Sequence, residues 1–225
     1  MFKNLLGFGK GKDFITEVIE EFNGMLNDTQ TIFVSSYGHL FNPINEPGLG
    51  DRIYEIDRRV NEAQKKIRKR IAEHLTCQPT VDTMVCLILM SLVKDAERVG
   101  DLAKNIYESK NYFDGHVDKA SYDKYFGDID KHILEHFNRT RDAFIDSDEE
   151  KAAGAWDVHK KIREMCDNAL DAVANSDMPV KHAVAFSLMT RYYKRISAHL
   201  TNIATSVVVP LEKLDYFECD AASDE

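Results

Sequence analysis

Glu97 and Asp101 stand four residues apart, so on a helix both carboxylates leave one face a turn apart. Asp57 precedes Asn61 by the same interval, and antiparallel pairing of the two segments would bring Asp57 alongside. Three carboxylates on one face repel each other unless a cation or an arginine compensates them. Hard oxygen donors suit iron, manganese, magnesium or calcium better than a thiolate-loving ion. The same residues admit a plainer reading, in which Glu97 pairs with Arg98 or a neighbouring helix and Asp101 is solvated. Asp128, His132 and His136, also four apart, form a second candidate stripe. The core side of that segment reads Tyr122, Phe126, Ile129, Ile133, Phe137 and Phe144, which sets the stripe beside the core as an unliganded surface row.

Other chemistries lack their residues. None of the eight histidines has a glutamate three positions before it, so the paired Glu-x-x-His of a di-iron bundle is missing. There is no H-E-x-x-H, no G-x-S-x-G and no phosphate-binding Walker loop; Gly7-Phe8-Gly9-Lys10-Gly11-Lys12 lacks the spacing and the following Ser or Thr. The four cysteines show no C-x-x-C spacing, and Cys77 and Cys86 read as core residues of an apolar helix. With 29 Lys and Arg against 38 Asp and Glu, the chain carries a formal charge of −9, which disfavours nucleic acid as a partner. The longest apolar stretch, Met84 to Val93, is too short to cross a bilayer. These features together predict a reduced, cytoplasmic, non-enzymatic protein.

The elements that must position these residues are helices. Phe14, Val18, Phe22, Met25, Leu26, Thr29 and Phe33 recur at three- and four-residue steps. Tyr37 to Gly50, rich in Gly and Pro, reads as a loop. A second helix from Asp51 to about Thr76 carries an apolar stripe and a basic opposite face. A third, Thr80 to Ser109, is apolar nearly all round at its start and so belongs inside a bundle. A fourth is expected from about Lys119 to Ile145. A fifth begins at a capping box formed by Ser147 and Glu150, and a sixth follows Pro179 and ends near Pro210.

These six helices fall into two sets of three. Glu97 to Ile106 aligns with Lys194 to Ile203, and Asp57 to Asn61 with His159 to Arg163, which reads as an internal duplication. The expected organisation is a basic leader over 1–12, one three-helix repeat over 13–111, a second over 112–212 and an acidic tail over 213–225. The leader's Phe2, Leu5, Leu6 and Phe8 make too short an apolar stretch for firm membrane binding.

Asp95-Ala96-Glu97-Arg98-Val99-Gly100-Asp101-Leu102-Ala103-Lys104-Asn105-Ile106 resembles the E-R-I-G-D-x-A-x-N-I signature of PhoU-type phosphate transport regulators. Gln78-Pro79-Thr80, with Asp82, resembles that family's Q-P-x-x-x-D-L-R turn, and Asp57-Arg58-Arg59-Val60-Asn61 is similar to its D-x-x-I-D helix. The resemblance implies an all-α fold of two tandem three-helix repeats forming a six-helix bundle. It also implies a non-enzymatic, cytoplasmic regulator of inorganic phosphate uptake, often a homodimer. Such a protein docks on a phosphate transporter or its sensor kinase and reaches the membrane only through the transporter. Members hold multinuclear iron or zinc on E/D-x-x-x-D motifs, so the resemblance implies metal at Asp57, Glu97 and Asp101, with Asn61 in place of a carboxylate. Iron or zinc is expected there, with manganese behind them, and Gly100 would allow close helix packing.

The second repeat departs from the pattern. His159, Arg163, Lys194 and Ala198 occupy its four motif positions, Ser197 replaces the glycine, and His199 remains where the signature often carries histidine. No metal is expected there. His159, Arg163, Lys194 and His199 would instead form a patch for an anion or a partner's acidic segment, or a degenerate repeat kept for packing. The alternatives to a phosphate-uptake regulator are a helical metal-binding or buffer protein and a ligand-free helical scaffold.

Overall fold

The computed structural model describes residues 12–41, 46–113 and 115–215. Seven α-helices run through them: α1 (Lys12–Phe41), α2 (Leu49–Cys77), α3 (Thr83–Ser109), α4 (Lys119–Phe126), α5 (Ile129–Asp146), α6 (Glu149–Ala174) and α7 (Val180–Thr205). Short 3₁₀ turns follow α3 and α7, and no strand occurs among the described residues. The expected leader and acidic tail lie outside the described residues, apart from Lys12 and 213–215.

Each helix buries the stripe that its periodicity marks. On α2 the sequence of buried positions is Leu49, Ile53, Asp57, Val60, Ile67 and Ile71, so a carboxylate sits inside an otherwise apolar row. The helices α1, α2 and α3 pack on one another, as do α5, α6 and α7, and the two sets meet chiefly through α3 against α7 and α1 against α5. The core is not divided along the repeat boundary. One buried cluster joins Phe33, Leu40, Val99 and Ile106 to Tyr122, Phe126, Phe186 and Tyr193. The other joins Val18, Phe22, Ile67 and Leu89 to Phe144, Ala155 and Ile203. Each cluster therefore draws on both repeats.

Four local expectations are corrected. Tyr37 to Leu40 are helical, because α1 continues to Phe41. Leu40 is fully buried, and Tyr37 and Phe41 pack their rings on Tyr122 at 5.8 and 5.1 Å, a contact that outweighs the roughly 1 kcal/mol cost of Gly38 within the helix. The expected fourth helix is two, α4 and α5, broken at Gly127, whose φ of 55° and ψ of −129° suit only glycine. The capping box does not form. Asp148 caps α6 by accepting from the Lys151 amide at 3.0 Å, while Ser147 is left-handed and closes α5. Cys77 is exposed; Cys86 and Cys166 are buried, and Cys219 lies outside the described residues.

Candidate functional site

The carboxylates of the first repeat converge where α2 lies antiparallel to α3. The pairing brings the buried Asp57 opposite the segment carrying Glu97, Asp101 and Lys104. The Lys104 ammonium lies 2.8 Å from Asp57 Oδ2 and 3.0 Å from Asp101 Oδ1, a charge-assisted bridge between the two helices. Asn61 directs its amide nitrogen to the same Asp57 oxygen at 3.5 Å. Arg98 lies 3.6 Å from Glu97 and 3.5 Å from Asp101. Burial raises the Glu97 pKa, and repulsion from Asp101 adds to it. Burial lowers that of Lys104, but its bonds to Asp57 and Asp101 outweigh burial and the net shift is upward.

Gly100 lets this face close. A Cβ there would come within 3.2 Å of Thr29 Cγ2 and 3.7 Å of Val60 Cγ1, so glycine permits α3 to press against α1 and α2 together.

The second repeat builds a different interior. His136, on α5, is fully buried and turned towards α7. Its Nε2 lies 3.0 Å from the Ser197 carbonyl and 3.0 Å from Thr201 Oγ1, and its Nδ1 has no partner. Burial lowers its pKa to about 3. His159 Nδ1 lies 2.9 Å from Ser197 Oγ, which stands at the position matching Gly100. Lys194 instead reaches Asp167 at 2.7 Å on the surface. His199 turns to the first repeat, 2.7 Å from Asp95, and Asn202 joins that carboxylate at 3.4 Å. Arg163 is exposed on α6. The structure thus brings His159 to Ser197 and takes Lys194 and His199 elsewhere.

The stripe of Asp128, His132 and His136 is not a surface row. His132 is part-buried, 3.5 Å from the exposed Asp128, whereas His136 faces the core. The signal was present: Ile129, Ile133, His136, Thr140 and Phe144 continue the buried face at three- and four-residue steps, and all five are buried. Lys104 is the other residue that motif reading passes over, although it follows Asp101 by three positions and must share its face.

The metal implied for the first repeat can be tested on these donors. A cation between Asp57 and Asp101 would share its place with the Lys104 ammonium, and Asn61 already offers Asp57 a nitrogen donor. Among the described residues no three His, Cys, Asp or Glu side chains converge as a metal would need. The arrangement as it stands does not fit a metal cluster. Among the described residues no helix is long and apolar enough to cross a membrane.

A family model, the PhoU domain, matches residues 17–109 and 128–207, one segment in each repeat. The fold is similar to that of a solved structure of PhoU from Pseudomonas aeruginosa, with a TM-score of 0.74 at 18% identity over 88% of this chain and 97% of that one. It is also similar to the phosphate transport system regulatory protein PhoU from Streptococcus pneumoniae, with a TM-score of 0.76 at 17% identity over 91% of this chain and 96% of that one. No curated protein matches the chain.

Proposed function

Because this chain belongs to the PhoU domain family, we propose that it is a non-enzymatic regulator of phosphate transport that docks on a phosphate transporter or on its sensor kinase. The observation that carries this reading is the family match to both repeats of the bundle, each built mainly of helices among the described residues. The chemistry of the interior supports it. Burial pushes the Cys86 thiol up to about 11 and that of Cys166 up to about 12, so neither is a thiolate at neutral pH. Buried His136 is neutral there and faces backbone and hydroxyl groups. The carboxylates of the first repeat are engaged by Lys104 and Arg98. These are groups that hold helices together, and they leave the outer helix faces as the working part of the molecule. In this reading the protein acts in the cytoplasm, as a homodimer, and meets the membrane through its transporter.

The experiment is capture with the full chain as bait from native membranes of phosphate-replete and phosphate-starved cells, alongside phosphate uptake in a strain lacking the gene. The expected result is enrichment of a phosphate-transporter or sensor-kinase component in one of the two states, with uptake altered in the deletion. Neither enrichment nor altered uptake in either state would overturn the proposal.

A further inference from the structure

We propose that Lys104 is a tethered cation standing in the place of a metal, so that the first repeat clamps α2 to α3 without any bound ion. The inference is independent of the transport reading, because it concerns how the family's fold is held in this chain.

Three observations carry it. The ammonium makes two short contacts, 2.8 Å to Asp57 on α2 and 3.0 Å to Asp101 on α3, and so spans the helix pair as a bridging ion would. Its side chain is 16% exposed and that of Asp57 12%, against 32% for Asp101, so the Asp57 end of the bridge is largely withdrawn from water, where a charge needs a close partner. The alignment of the repeats supplies the third. The register that matches Gly100 with Ser197 matches Lys104 with Thr201, and Asp57 aligns with His159. At those positions the second repeat is also closed by its own side chains: His159 on Ser197 Oγ at 2.9 Å, and Thr201 Oγ1 on the Ser197 carbonyl at 2.9 Å with His136 at 3.0 Å. One repeat uses an ammonium between carboxylates and the other a set of imidazoles and hydroxyls.

A divalent cation entering between Asp57 and Asp101 would meet the Lys104 ammonium at contact range, and like charges in a part-buried site repel strongly. It could settle only after Lys104 had left both carboxylates. Taking the ammonium away should therefore do two things at once. It should leave Asp57 buried without its counter-charge, and it should open an oxygen-rich space that a hard cation can fill.

The test uses the full chain with Lys104→Met, whose side chain keeps much of the length and loses the charge. Thermal melting is followed with EDTA, with MnCl₂ and with ZnSO₄, and binding of each metal by isothermal calorimetry. Wild type is expected to purify without stoichiometric metal and to melt at the same temperature with EDTA or metal. Lys104→Met is expected to melt about 5 °C lower in EDTA. It should bind Mn²⁺ or Zn²⁺ at least about tenfold tighter than wild type and recover its melting temperature when loaded. Asp57→Asn combined with Lys104→Met removes both charges and should melt above Lys104→Met alone; this variant decides the matter if the single change fails to fold. Stoichiometric metal in wild type whose removal lowers its melting temperature would overturn the proposal. So would a Lys104→Met protein that melts like wild type or gains no metal, or a double variant no better than the single.

Discussion

Replacing His136 by Gln tests how the second repeat is held, with a magnitude set by pH. The imidazole is fully buried and its pKa is about 3, against an ordinary value of 6.5. Burial is the first cause, the neighbouring His159 and Arg139 add to it, and the bond to the Ser197 carbonyl opposes it. A histidine whose folded pKa is depressed holds its neutral form in the fold. Its stabilising contribution is complete above pH 6.5 and is lost as the pH falls towards 3, because the unfolded chain takes up a proton that the folded chain refuses. Between pH 7.5 and pH 5.0 this single group should cost the wild type about 2 kcal/mol of unfolding free energy, with the slope near 1.4 kcal/mol per pH unit at the acid end. His136→Gln can still offer a donor to the Ser197 carbonyl and cannot titrate. The assay is urea unfolding of both proteins at pH 7.5, 6.5, 5.5 and 5.0. Contributions from other titrating groups, including the lowered His39 and the raised Glu97, are common to both and cancel in the difference. The gap between the two proteins should shift in favour of the variant by about 2 kcal/mol over that range. Parallel pH profiles would refute the argument, since they would mean that His136 titrates in the fold as it does in water.

The Tyr122 hydroxyl donates to that of Tyr193 at 2.8 Å between two fully buried rings. Each single change to Phe strands a buried hydroxyl and should lower stability by about 1–3 kcal/mol, whereas the double change should cost less than the sum, as measured by a urea double-mutant cycle. At Gly100 an alanine gains about 1 kcal/mol of helix propensity and meets Thr29 Cγ2 at 3.2 Å, so its melting temperature should stay within a few degrees of wild type. Gly100→Leu overfills the same gap and should lose about 1–3 kcal/mol or more, because Thr29 is buried and held by its own bond to the Leu26 carbonyl at 2.9 Å.

The helices and their pairing were legible because apolar spacing is a one-dimensional signal. Ile53, Val60, Ile67 and Ile71 mark the buried side of α2 in the sequence as in the structure. What the pattern hid were places where one residue type answers to two demands. His136 read as one of a surface row with Asp128 and His132 because the three stand four residues apart, yet its phase matches Ile133 and Thr140, and phase decided. Gly127 was overlooked because the apolar period runs through it, while its backbone turns where only glycine is comfortable. The carboxylate set was legible as a set, and so was the pairing of Glu97 with Arg98. The compensating charge on Asp57 and Asp101 was not, because Lys104 is not one of the acidic motif positions. Which carboxylates a lysine reaches depends on the partner helix, and that register is a tertiary fact.

The duplication explains why such compensation must be internal. Both buried clusters cross the repeat boundary, so neither repeat has a core of its own, and α3 and α7 form the shared seam. A polar residue on that seam is answered from the other repeat, as Asp95 is by His199 and Asn202. A polar residue in the groove between α2 and α3 has only its own repeat to call upon. Asp57 is such a residue, and a buried carboxylate left alone is costly. The second repeat has no acid at the matching positions: there His159 lies 2.9 Å from Ser197 Oγ. The first repeat has acids at those positions and needs a cation on the same helices, and Lys104, one turn beyond Asp101, is the side chain placed to supply it.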